Sequence, residues 1–143
     1  MNNWTLMLAR LIMAACLLPT GIAHLSNVSG LALSFRMQGL PYPNAVATAC
    51  VVAETFGPLA LVLGLAPRFT VSVMVGTLLI ATGTLHRFWE LIGVARQSEQ
   101  ALFVGNLATV AGLMFYLVSG PGDWSWQAIW KRLSTPGQAP KRR

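Results

Sequence analysis

Five ionisable residues draw attention by where they fall: Arg10, His24, Glu54, His86 and Glu90. Glu54 sits near the middle of an apolar stretch long enough to cross a bilayer, where a carboxylate is costly unless neutralised or paired. Such a group could accept a proton, bind a ligand, or form a structural pair that fixes helix register. Arg10 is the expected partner, giving a buried polar pair, although it starts about two turns nearer the cytoplasm and must reach inward. Pro58 follows Glu54 by four residues. It cannot donate to the Glu54 carbonyl, so the helix can bend there.

His24 and His86 fall near the outer ends of antiparallel neighbours, at similar expected depth, and Glu90 lies one turn beyond His86. A carboxylate so placed could orient or protonate the imidazole. Two facing histidines could ligate haem axially, but one candidate pair without haem-specific spacing disfavours it. They could also donate to the carbonyls of a quinone headgroup beside an apolar slot for its tail, or simply be solvated at the interface. Beyond Glu90 no third ligand converges, so no metal site is expected. Cys16 and Cys50 lie inside apolar stretches without metal-ligand spacing and read as buried free cysteines acting as small hydrophobes.

The elements that must position these groups follow from composition. Of 143 residues, 10 are basic and 4 acidic, so charged residues make up 10% and hydrophobic ones 55%. A soluble domain carries about 25% charged residues. The shortfall argues against a soluble enzyme, a disordered tail or a nucleic-acid-binding module, despite the net charge of +6.

Residues 11–35, 69–86 and 100–122 hold no charge, and only Glu54 interrupts the run between Arg36 and Arg68. A spanning helix needs about 20 apolar residues. Four spans therefore fit, over about 5–25, 44–65, 69–88 and 101–119, and lipid leaves no alternative to helix for runs of this length. Turn residues agree: Gly39-Leu40-Pro41-Tyr42-Pro43 precedes the second span, Ala66-Pro67-Arg68 makes a tight hairpin, and Gly120-Pro121-Gly122 stops the fourth. The expectation is one all-α domain, an integral-membrane four-helix bundle over residues 1–130 with a basic tail over 131–143. Four spans place both termini on one side. That side holds seven basic residues against three on the other, which favours N-in and C-in.

At alternating steps of three and four, each span shows a seam of small residues. Ala14 and Gly21 lie on the first, Gly57 and Gly64 on the second, Gly76 and Gly83 on the third, Gly105 and Gly112 on the fourth. Small residues let helices approach closely in lipid, so the seams are expected to face one another around a polar interior. In the first outer loop, residues 31–37 suggest a short interfacial helix, either capping a cavity or lying on lipid. Trp124, Trp126 and Trp130 with Lys131 and Arg132 suggest an aromatic-basic belt at the headgroups. A cleavable signal peptide is a rival reading of the first span. It is disfavoured because the residues before Arg10 are apolar rather than basic.

In order and spacing, these residues resemble the DoxX family of small bacterial and archaeal membrane proteins. The resemblance rests on Arg10, Gly21-x-x-His24, Gly39-x-Pro41, Glu54, Gly64-x-x-x-Arg68, His86, Asn106 and Gly120-Pro121-Gly122, from Ala9 to about Lys131. His24 stands where relatives often have Lys, Gly105 where they often have Lys, and Gln127 where they often have an acid. The resemblance implies a four-helix protein of the inner (cytoplasmic) membrane. It also implies a link to quinone-dependent oxidation of reduced sulfur compounds or to respiratory and thiol-stress systems. The leading expectation is thus a subunit or docking partner of a quinone-linked redox system, with a redox or membrane-protein partner and no nucleic acid. No cofactor motif makes the chain a self-sufficient enzyme. A non-catalytic anchor that organises partner proteins, and a small-solute or proton pathway, remain as alternatives.

Overall fold

The computed structural model describes residues 3–134, and its regular structure there is entirely helical. Four long helices, α1 (Asn3–Ser26), α3 (Pro43–Leu63), α4 (Pro67–Leu85) and α5 (Gly93–Ser119), belong to four segments long and apolar enough to cross a membrane. Two short helices accompany them, α2 (Val28–Met37) and α6 (Trp126–Ser134), with a 3-10 turn over Phe88–Glu90. The expected spans are recovered, but α5 starts eight residues earlier than its apolar run. Its first turns are polar and exposed. Lys141, Arg142 and Arg143 lie outside the described residues.

Long helices alternate in direction and neighbour one another in the order α1, α3, α4, α5. α3 is the central one. In its most apolar window 44% of residues are buried, against 17% in α1 and in α5. α1 and α5 approach each other mainly through side chains, with Met13 reaching Gly112. The bundle is therefore splayed between its first and last spans.

α2 is no loose connector. Asn27 caps its start, accepting from the Gly30 amide at 2.9 Å. Its Leu31, Ala32 and fully buried Phe35 then pack on Ala47, Cys50 and Val51 of α3 and Ala81 of α4. A second core joins Leu61, Val71, Met74, Leu113 and Tyr116.

The α3–α4 hairpin follows from its residues. Leu65 donates to Ala60 and Gly64 to Leu61, a Schellman closure. Gly64 takes φ +67, and Pro67 opens α4 at a position where its missing amide costs nothing.

The small-residue seam holds only in part. Ala14, Gly21, Gly57 and Gly64 are buried, and Gly112 meets Met13. Gly76, Gly83 and Gly105 face open space. α4 instead buries Val71, Met74, Leu78, Ala81 and Thr82, so its contact face is rotated by about one residue, roughly 100°, from the glycine stripe. Aliphatic side chains fill that interface, and close backbone approach is not used there. Gly83→Ala is accordingly expected to shift stability by no more than about 0.5 kcal/mol. By contrast, Gly64→Ala should cost about 1–2 kcal/mol, because L-residues are strained at that φ and its Cβ would lie 2.5 Å from Ser125 Cβ. Reversible unfolding in mixed micelles compares the two.

Candidate functional site: histidine–carboxylate pairs and a buried arginine

Glu54 pairs with a histidine. His24 Nδ1 and Glu54 Oε2 lie 2.6 Å apart, joining the end of α1 to the middle of α3. The Glu54 side chain is 11% exposed and that of His24 34% exposed, so the carboxylate is covered and the imidazole open on one side. α1 can come this close because position 21 is glycine. A Cβ there would fall on the Glu54 carbonyl oxygen, the one that Pro58 leaves without a helical donor. The crevice beside Glu54, between Leu17, Met74 and Leu113, offers only about 10 Å³, near the lower limit for one water. Access to the pair is therefore through His24.

The expected Arg10–Glu54 pair is not formed. Antiparallel packing sets Arg10 against the C-terminal end of α3, eight residues and about 12 Å from Glu54 along that helix. Arg10 as a whole is 1% exposed. It donates to the Val62 carbonyl at 3.1 Å, the Trp124 carbonyl at 2.8 Å and Met7 Sδ at 3.2 Å. Val62 carries one of the carbonyls left open at the end of α3, and a cation suits that end of a helix dipole. Arg10 thus ties α1 to the end of α3 and to the segment that follows α5.

Nor do His24, His86 and Glu90 form one cluster. His86, which closes α4, pairs through Nδ1 with Glu99 Oε2 of α5 at 2.7 Å. Glu90 instead takes Arg87, at 3.3 Å. Arg87 also donates to the Gln38 carbonyl after α2. Glu99 is the residue that sequence reasoning missed, because it precedes the apolar run of the last span. The early start of α5 brings it back over His86. A hint was available, since it is one of only four acidic residues in the chain.

Each pair can fix a tautomer. A carboxylate at Nδ1 holds a proton there and leaves Nε2 as the ring's second polar atom. Among the described residues, no three His, Cys, Asp or Glu side chains converge as metal ligands. Cys16 and Cys50 are both free, but only Cys50 is buried as expected; Cys16 lies on an exposed face of α1.

A family model described as DoxX matches residues 5–87, more than half of the chain. The chain belongs to the DoxX family. The match takes in Arg10, His24, Glu54, Gly64 and His86, and ends before α5. The Asn106 and Gly120-Pro121-Gly122 parts of the resemblance lie beyond it. No curated protein and no solved structure matches the chain. DoxX membership and four membrane-crossing helices make this a multi-pass protein of a lipid bilayer.

Proposed function

We propose that this DoxX protein is an accessory membrane subunit, or docking partner, of a quinone-linked redox system. The carrying observation is the His24–Glu54 pair, a carboxylate-fixed and partly exposed histidine in a membrane helix. A quinone, when bound, supplies the electron chemistry. The chain's own contribution is to hold a proton at His24 Nε2 and to orient the headgroup by one hydrogen bond, with Glu54 compensating the charge on the ring. That suits a group whose carbonyls accept hydrogen bonds and whose hydroxyls release protons.

The same reading sets the protein in the inner membrane with both termini inside, in keeping with its distribution of basic residues. An anchoring role gains support from Trp89, Ile92 and Val94. These lie 54%, 88% and 79% exposed from the 3-10 turn to the first turn of α5, as a surface for lipid or a partner protein.

Purified in mild detergent, the protein is expected to retain or take up quinone, read by solvent extraction and mass spectrometry. His24→Leu should lower the bound fraction about tenfold, the worth of one hydrogen bond to a chargeable partner. Equal quinone content in wild type and His24→Leu would sink this reading and leave the anchor.

A further inference from the structure

The gap between α1 and α5 is a groove of about 580 Å³, within the range of small-molecule sites. Leu6 and Met13 form one wall, Phe115 and Val118 the other, and Arg10 and Tyr116 supply its polar groups. Phe115 and Val118 are 77% and 89% exposed, so the groove opens sideways toward lipid.

Its polar end is incomplete in two ways. Arg10 Nε and the Tyr116 hydroxyl are buried without a well-formed hydrogen bond, and the only polar group near the hydroxyl that bears on it is Arg10 itself, a donor close enough for a weak hydrogen bond that leaves the cation without an anion. One of Arg10's three acceptors, Met7 Sδ, is a thioether, which an anionic oxygen outcompetes. The charge is unanswered as well. Each of the chain's four acids is engaged elsewhere: Glu54 with His24, Glu99 with His86, Glu90 with Arg87, and Asp123 with Asn3. No carboxylate lies within 4 Å of Arg10 among the described residues. The α3 terminus offsets only about half of an elementary charge.

We propose that the α1–α5 groove is a binding site for an anionic phospholipid. Because both groups are buried, its phosphate must displace the Met7 thioether to reach Arg10 and the Tyr116 hydroxyl, and one acyl chain lies between the α1 and α5 walls. Charge complementarity selects an anion over a neutral headgroup. Depth selects a phospholipid. Arg10 donates to the carbonyl of Trp124, whose ring packs edge-on against Trp4 with centroids 4.4 Å apart. Paired tryptophans mark headgroup level, where lipid phosphates lie. This site is on α5 and the opposite half of α1 from His24, and it does not depend on the redox reading.

The test uses the full chain in phosphatidylcholine nanodiscs doped with phosphatidylglycerol, with retained lipids identified by native mass spectrometry. Wild type is expected to retain one phosphatidylglycerol at least about tenfold over phosphatidylcholine. Tyr116→Phe removes one donor and should lower that preference about fivefold. Gly112→Leu fills the groove, its Cβ meeting only the flexible end of Met13, and should remove the preference while leaving Arg10 in place. If Gly112→Leu does not fold, the Tyr116→Phe result decides. Equal retention of both lipids by wild type, a preference unchanged in the variants, or retention of a free fatty acid in place of phospholipid would each overturn the proposal.

Discussion

Gly21→Leu is expected to destabilise the folded protein by about 3 kcal/mol, at the upper end of overpacking costs. The obstacle at position 21 is backbone, the Glu54 carbonyl and the Thr55 amide, so no rotamer change makes room. α1 would have to move off α3, and the pairing of His24 with Glu54 at 2.6 Å would open with it. In lipid, close packing and interhelical hydrogen bonds are what hold helices together. Both are lost in one step. Unfolding in mixed micelles reads the cost, and an unchanged midpoint would show that α1 and α3 do not approach here.

Arg10→Leu is expected to cost about 2–4 kcal/mol by a different route. Its removal leaves the Val62 and Trp124 carbonyls without their donor, and an unpaired buried acceptor costs about 1–3 kcal/mol. Relief of the buried charge returns part of this. Since Trp124 belongs to the turn after α5, the loss should be greatest around α6. Faster proteolysis between Gly120 and Ser134, together with a lowered unfolding midpoint, is the expected signature. Arg10→Lys should recover a minor part, because one ammonium does not span both carbonyls with the geometry of a guanidinium. Loss of stability without local opening near α6 would argue against the tie.

The pairing of ionisable groups was the part least legible in the sequence. Glu54 could be singled out because one acid in a long apolar run is conspicuous. Its partner could not, because that depends on how far α1 slides along α3. Gly21 sets this offset by allowing backbone contact at Glu54, and the slide delivers His24 to the carboxylate and Arg10 to Val62. Glu99 was hidden for a related reason: hydropathy marks the part of α5 that lies in lipid, not where the helix begins. The glycine stripe of α4 misled because its residues share a face without touching anything. On that helix, aliphatic packing set the rotation.

The number of spans, their approximate limits and the turns between them follow from the order of residues alone. Apolar runs of this length have one solution in a bilayer, and glycine and proline punctuate it. The sequence also carried the residues by which DoxX membership is recognised. Which cation meets which anion, the packing of α2 into the core, and the gap between α1 and α5 emerge from how the helices pack. These depend on axial offset and rotation between helices, fixed by contacts of a few ångströms that no single helix contains. The same offsets leave Arg10 buried beside the α1–α5 groove without a carboxylate.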